Sequence, residues 1–268
     1  MEVVTVILSG LLLLISPVGI VVDQAAEDAI RSRLFNAESL EVRVDNGPSF
    51  QVLQGKVDRV RIAGRGISPT PDLRIEVAEL ETDPIDLAFN SLRKGEIVLD
   101  EPLQGALRLV LSEADINAFV RSPAVMQQLS ELKIGSLNPA QTRERARYKI
   151  QNPAVQFLAD DRLKIYLELE DLVQPGTLQI EAESVLRISE GDRLVLVDPV
   201  LSVNGQPAPG RLVNGLLGGI NERLSLRALE NRGLTARVID FTLRPEGLEL
   251  ALWVRVDPSV TTPSVAVQ

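Results

Sequence analysis

Strict alternation of apolar and polar side chains recurs along this chain and constrains its fold more than any other feature. In residues 161–170, which read DRLKIYLELE, four aliphatic residues alternate with charged residues and a tyrosine. A period of two places alternate side chains on opposite faces of a β-strand. Similar alternation over residues 40–45 and 248–256 contributes to a prediction of roughly ten or eleven strands.

Short polar turns separate several of these predicted strands. Residues 160–161 (Asp-Asp), 190–192 (Glu-Gly-Asp), 204–207 (Asn-Gly-Gln-Pro) and 245–247 (Pro-Glu-Gly) have the composition of hairpin turns. Strands joined by short turns pair in the antiparallel sense. The resulting sheet has a large apolar face, which must be covered by helices, a second sheet, its own curvature or a ligand.

Two segments show the apolar spacing of helices instead. Residues 22–34 place acidic side chains early and basic ones late, as the helix dipole favours. Residues 208–229 contain an apolar stripe at helical spacing, marked by Leu212, Leu216, Ile220 and Leu224.

Composition excludes several classes of function. The chain has no cysteine and no histidine, so it has no Ser-His-Asp triad and lacks the commonest metal ligand. Its formal charge of −9 and its 3% of aromatic residues argue against nucleic-acid binding, which depends on basic clusters and stacking. We expect neither a metal nor a cofactor.

The first twenty-two residues are almost entirely apolar, with no charged side chain over residues 3–22. This length is sufficient for a membrane span. A signal peptide remains an alternative, although the basic amino-terminal region typical of one is missing. A buried core helix or a misassigned start is also possible.

Two local clusters invite a functional interpretation but have simpler explanations. Ser112 and Asp115 begin a predicted helix with the spacing of a capping box, which explains both without catalysis. Arg143, Arg145 and Arg147 with Lys149 form a basic cluster that predicts a solvated edge or, alternatively, a contact with lipid head groups.

Four short motifs resemble the LmeA-like phospholipid-binding family, and most closely its cyanobacterial members. They are residues 53–67 (LQGKVDRVRIAGRGI), 109–120 (LVLSEADINAFV), 203–209 (VNGQPAP) and 219–224 (GINERL). The similarity extends over about residues 20–257. The resemblance implies an α+β fold: an elongated, strongly curved antiparallel sheet wrapped around long amphipathic helices, as in tubular lipid-binding domains.

These observations lead to a three-part organisation. Residues 1–22 would be a membrane anchor or signal segment, 23–257 a single lipid-binding α+β domain, and 258–268 a flexible tail. The resemblance implies phospholipid binding in an apolar cavity and a role in maintaining the membrane or cell envelope, without catalytic residues.

The leading hypothesis is therefore a protein that is not an enzyme and that binds, or also transfers, phospholipid in an aliphatic cavity. Its expected partners are a phospholipid or other acyl lipid and a membrane. The predicted lipid contacts are Leu163, Ile165, Leu167, Leu169, Leu212, Leu216, Ile220, Leu248, Leu250 and Leu252. The alternatives are a membrane-tethered structural or adaptor domain with a solid core and, as a third class, a hydrolase or transferase that uses carboxylates alone.

The side of the membrane is indicated by two conflicting observations. Arg31 and Arg33 follow the apolar segment and by the positive-inside rule favour a cytoplasmic body. The family's actinobacterial members are usually exported. We expect an anchor over residues 3–22 with the body on the extracytoplasmic side, in the periplasm or on the thylakoid side.

Overall fold

The structure is a computed structural model, and it describes residues 27–28, 30–47, 54–92, 98–130, 148–172, 175–208 and 224–258. These residues form two compact units. One, the six-strand unit, takes the described residues up to 110 together with 226–240 and those from 249 onward. The other, the five-strand unit, takes the described residues within 111–225 and 241–248.

The six-strand unit is built on an antiparallel sheet with the strand order β1-β3-β4-β6-β13-β12. A two-stranded ribbon pairs β2 with β5. The strands are β1 (Asn36–Asp45), β2 (Lys56–Val57), β3 (Arg59–Thr70), β4 (Leu73–Thr82), β5 (Ile85–Asp86), β6 (Leu103–Leu111), β12 (Leu234–Arg244) and β13 (Gly247–Val256).

Alternation divides the two faces of this sheet as the sequence predicts. Leu80, Leu107 and Leu252 belong to the buried face, and each is at most 4% exposed. The opposite face carries charged residues, with arginines on β3 beside glutamates on β4, as in the Arg59–Glu81 ion pair. In β3 the alternation ends at Gly66, whose φ of +55° favours glycine, and residues 66–69 are all buried.

The five-strand unit is an antiparallel meander with the order β11-β10-β9-β8-β7. Its strands are β7 (Tyr148–Phe157), β8 (Arg162–Asp171), β9 (Thr177–Ser189), β10 (Arg193–Val203) and β11 (Gln206–Pro207). Three of its turns have left-handed backbone at both central residues, at 160–161, 190–191 and 204–205. This geometry matches the twist of antiparallel strands, and it confirms the three predicted turns.

Strands β7 and β10 of the meander contain the same irregularity. The pairing register shifts between Gln151 and Ala154 in β7 and between Val197 and Val200 in β10. Each shift contains an acidic or amide residue in left-handed backbone followed by proline, Asn152-Pro153 in β7 and Asp198-Pro199 in β10. Proline has no N–H to donate, so these bulges interrupt strands near the sheet edges.

The helices among the described residues are short. They are α1 (Phe89–Leu92), α2 (Glu113–Val120), α3 (Pro123–Ser130) and a 3-10 helix at Leu226–Arg232. Ser112 caps α2 as predicted, since its Oγ accepts a hydrogen bond from the Asp115 N–H at 3.1 Å. Of the predicted helix over 22–34, residues 27–28 and 30–31 are helical. Residues 209–223 of the second predicted helix lie outside the described residues.

The predicted fold class is wrong in its architecture. We expected one strongly curved sheet wrapped around long amphipathic helices, whereas the described part of the chain forms two separate, open antiparallel sheets with short helices. The physical reason is strand pairing: after β6, the segment through α2 and α3 leads into a meander whose strands pair with one another. The last hairpin, β12–β13, then pairs beside β6.

The predicted segments at the two ends are not tested by this structure. Residues 3–22 and the tail from 259 onward lie outside the described residues. Within the part of the chain that is described, no helix has both the length and the apolar character required to span a membrane. The anchor, the single domain over 23–257 and the tail therefore stay predictions.

Candidate functional site

The five-stranded sheet has one aliphatic face, which the pairing register defines. Residues directly opposite each other in an antiparallel pair share a face. Leu163 lies opposite Phe157, and Ile165 lies between Val155 and Ala182. The face continues across all the long strands and comprises Ile150, Val155, Phe157, Leu163, Ile165, Leu167, Leu169, Leu178, Ile180, Ala182, Ser184, Leu186, Ile188, Leu194, Leu196, Leu201 and Val203.

Burial is uneven along this aliphatic face. At the end nearest the β7–β8 and β9–β10 turns, which we call the closed end, five residues are at most 9% exposed: Phe157, Leu163, Leu186, Leu194 and Leu196. Ile188 at the corner of that end is half-buried. Toward the β8–β9 turn the face is half-buried over a set that we call the apolar strip, made of Ile150, Val155, Ile165, Leu167, Leu178, Ile180, Ala182 and Val203.

Within the strip, apolar contact is continuous from strand to strand. Leu167 lies opposite Ile180, and Ile180 lies opposite Val203. Leu169 and Leu201 belong to the same face but are buried, each at 7% exposure. Half-buried aliphatic side chains on adjacent strands form a surface that a further apolar group can cover.

The opposite face of the same sheet carries the charged residues, although Val185, Val195, Val197 and Val200 also lie on it. Glu183 Oε1 accepts a hydrogen bond from Arg162 Nη2, and Lys164 Nζ lies 3.7 Å from Glu183 Oε2. Farther along, Asn152 Nδ2 donates to Glu168 Oε2 at 2.7 Å. Lys164 also lies over the ring of Tyr166, and hydrogen bonding to Tyr166 raises the pKa of Lys164. The sheet is therefore amphipathic, with only one face suited to hydrocarbon.

Helix α2 covers the edge of β7 with side chains that bond to its backbone. Asn117 Nδ2 donates to the Val155 carbonyl at 2.7 Å, and Asn117 Oδ1 accepts from the Val155 N–H at 2.8 Å. Glu113 Oε2 accepts from the Phe157 N–H at 2.7 Å. Arg121 Nε donates to the Pro153 carbonyl at 2.9 Å. These three side chains are four residues apart and share one helix face. They form hydrogen bonds with backbone N–H and carbonyl groups at the edge of β7.

The model of the LmeA-like phospholipid-binding family matches residues 15–252 of the 268 in this chain. The chain belongs to this family. No curated protein and no solved structure matches it. The match to the LmeA-like family includes the α2 segment and every strand of the aliphatic face.

The predicted lipid contacts of this LmeA-like chain fall into three groups. Leu163, Ile165, Leu167 and Leu169 share the aliphatic face. Leu248, Leu250 and Leu252 are buried, at 9%, 9% and 2% exposure, and the last two are core residues of the six-strand unit. Leu212, Leu216 and Ile220 lie outside the described residues.

The six-strand unit has an open depression of about 840 Å³ on its charged face. Arg43, Arg61 and Arg108 line it, and each has a carboxylate within 4.0 Å. A hydrogen bond from Arg61 holds the pKa of Asp45 below its usual value. A hydrogen bond to Glu249 raises the pKa of Arg108, and a hydrogen bond to Glu79 contributes to the same shift. The depression combines these paired charges with apolar lining residues, among them Leu80, Leu107 and Leu252, the last of which is a predicted lipid contact.

Ser112 and Asp115 at the start of α2 and Asp161 in the β7–β8 turn have structural partners. Ser112 Oγ lies 2.7 Å from Asp115 Oδ2 at the start of α2, in addition to capping the helix. Asp161 accepts from the Leu243 N–H at 3.0 Å and from Arg187 Nη1 at 3.3 Å. Among the described residues no group of three or more acidic side chains could hold a metal ion.

Proposed function

We propose that this member of the LmeA-like family binds phospholipid without catalysing a reaction, with an acyl chain lying along the apolar strip. The observation that carries the proposal is the half-buried state of Ile165, Leu167 and Ile180 on adjacent strands. Aliphatic residues at the centre of a sheet face are otherwise covered by the protein's own core.

The length of the strip is close to that of one acyl chain. On β9 the strip extends from Leu178 to Ala182, four residues apart, which corresponds to about 13 Å in a strand. An acyl chain spans one leaflet, about 15 Å or half the hydrocarbon core of a bilayer. One chain lying along the strand direction would therefore cover the strip.

The hydrophobic gain is sufficient for binding of moderate strength. Each fully buried methylene contributes about 0.8 kcal/mol. A chain on an open surface keeps one side in contact with solvent, so roughly half that value applies to each methylene. Contact along a dozen methylenes then contributes about 5 kcal/mol before the entropic cost of association is subtracted.

In the cell, this activity would serve membrane or envelope maintenance, and binding would include transfer of the lipid between sites. Anchoring by residues 3–22 would keep the protein beside its lipid source, on the extracytoplasmic side. The family assignment supports lipid as the partner. The aliphatic rather than aromatic character of the strip supports an acyl chain over a ring system.

Native mass spectrometry with lipid analysis of gently purified protein tests this proposal. We expect phospholipid to accompany the wild type and to be reduced in Leu167→Asn. The matched control is Val195→Asn, because Val195 is also half-buried but lies on the opposite face of the sheet. Protein that is free of lipid and takes up none when supplied with it would instead support the structural or adaptor domain.

A further inference from the structure

One charged residue lies on the aliphatic face of the five-stranded sheet. Asp171 is the last residue of β8, two positions beyond Leu169, so the two residues share a face. The pairing register agrees, since Asp171 lies opposite Tyr148 and Leu169 lies opposite Ile150, two positions farther along β7. Among the described residues that pair within this sheet, no other residue on the aliphatic face is charged.

Asp171 lies at the end of the face that is remote from the closed end, which we call the open end. The Asp171 N–H donates to the carbonyl of Gly176, its neighbour on the β9 side, at 3.0 Å. Gly176 is exposed, and a Cβ added to it would meet nothing within 4 Å. Asp171 itself is half-buried. The open end therefore combines a carboxylate with free space beside it.

The burial of the two ends determines the direction of a bound phospholipid. A head group against the buried closed end would lose its hydration without compensation, so it lies toward the open end. A chain of about 15 Å that begins at Ala182 ends just past Leu178, because the strip between them is about 13 Å long. Asp171 is about 7 Å beyond Leu169, which lies opposite Leu178, and so lies where the head group begins.

We propose that Asp171 selects phospholipids whose head group carries an ammonium group, such as phosphatidylcholine and phosphatidylethanolamine, over phospholipids of net negative charge, such as phosphatidylglycerol. The inference rests on the proposed function, since it assigns the head group of the lipid whose acyl chain covers the strip. A carboxylate attracts the ammonium group and repels a head group that has no positive charge. Because Asp171 is half-buried, solvent screens this interaction less than it would at a fully exposed site.

Titration with two soluble phospholipids tests the selectivity. Short-chain phosphatidylcholine and phosphatidylglycerol with identical acyl chains, used below the concentrations at which they form micelles, differ only in their head groups. We expect the wild type to bind the phosphatidylcholine about fivefold more tightly. Asp171→Asn should lose most of this preference, whereas Asp171→Glu, which retains the charge, should keep it. Asp171→Ser is the alternative neutral variant if Asp171→Asn does not fold.

Glu170→Gln is the matched control. Glu170 is adjacent to Asp171 and equally half-buried, but it lies on the opposite face, where Gln151 Nε2 donates to its carboxylate. This substitution changes the net charge of the chain by the same amount as Asp171→Asn. It should change the ratio of the two affinities by less than about twofold, since its charge faces away from the lipid and is screened by salt. Urea unfolding establishes that each variant is folded during the titrations.

The outcomes separate this inference from the proposed function. Equal binding of the two lipids by the wild type, a wild-type preference in Asp171→Asn, or equal losses of preference in Asp171→Asn and Glu170→Gln would each overturn the role of Asp171. The proposed function survives all three, because lipid still binds. If the wild type binds neither lipid, the proposed function and the head-group inference fail together.

Discussion

Replacing two leucines of one strand separates lipid contact from core packing. Leu163 and Leu167 share the aliphatic face of β8, but Leu163 is 7% exposed and Leu167 is half-buried. Leu→Ala at a fully packed site costs about 2–5 kcal/mol in the free energy of unfolding. We expect Leu163→Ala to fall in that range, and Leu167→Ala to lower stability by only about 1 kcal/mol, because solvent or lipid already contacts part of its side chain.

The effect on lipid binding should be the reverse. A bound acyl chain would cover the exposed part of Leu167, and removal of that contact should weaken binding by about 1 kcal/mol, or roughly fivefold. Leu163 has almost no surface left for a ligand, so the affinity of folded Leu163→Ala should stay near that of the wild type. Urea unfolding gives the stabilities, and titration with a fluorescent phospholipid gives the affinities.

One result would refute this reasoning directly. If Leu167→Ala binds lipid as well as the wild type while Leu163→Ala does not, the acyl chain does not lie on the half-buried part of the face. Titrations must use conditions under which both variants are fully folded, which the urea curves establish. A Val195→Ala control, altered on the opposite face, should lose stability without losing affinity.

Three further predictions concern the scaffold around the site. Asn117→Ala removes both hydrogen bonds between the Asn117 side chain and the Val155 backbone, so we expect a loss of about 1–3 kcal/mol and faster hydrogen exchange in β7. Gly66→Ala should destabilise by more than about 1 kcal/mol, because φ is +55° and a Cβ would displace the side chain of Glu38, whereas Gly176→Ala, with nothing within 4 Å, should be tolerated. Because Arg61 lowers the pKa of Asp45 from 3.8, their pairing stabilises the fold above pH 3.8, and the stability difference between wild type and Asp45→Asn should shrink as pH falls below that value.

Local features of the sequence predicted local features of the structure well. Alternation predicted that Leu163 and Leu169 share one strand face, and turn composition predicted the hairpins at 160–161 and 190–191. Capping by Ser112 followed from its spacing to Asp115. Each of these depends on residues only a few positions apart, where backbone geometry restricts the alternatives.

Strand pairing over long distances was not predictable in the same way. Alternation predicts that a strand has an apolar face, but it does not predict which strand pairs with that strand. The sequence therefore gave no reason to divide the strands into two sheets, and the family resemblance suggested one. The Asn152-Pro153 and Asp198-Pro199 bulges were also missed, although proline after a residue tolerant of left-handed backbone is a recognisable pattern near a sheet edge.

The role of α2 illustrates what the sequence contained but did not by itself reveal. Glu113, Asn117 and Arg121 lie four residues apart and so share a helix face, which is visible in the sequence. Their partners are backbone groups about forty positions away. Every residue has such backbone groups, so the sequence cannot indicate which of them a side chain binds. The motif at residues 109–120, which predicted the start of a helix, thus also supplies side chains that bond to the edge of β7.

The same limit explains why the predicted lipid contacts differ in burial. Leu167 and Leu252 have the same local pattern, an aliphatic residue in an alternating strand, yet one is half-buried and the other is 2% exposed. What differs is the amount of protein packed against each sheet face, which depends on tertiary structure. A lipid site on a β-sheet is therefore recognised by aliphatic residues that remain partly uncovered where a complete core would have buried them, and in the described part of the five-strand unit the apolar strip meets that condition.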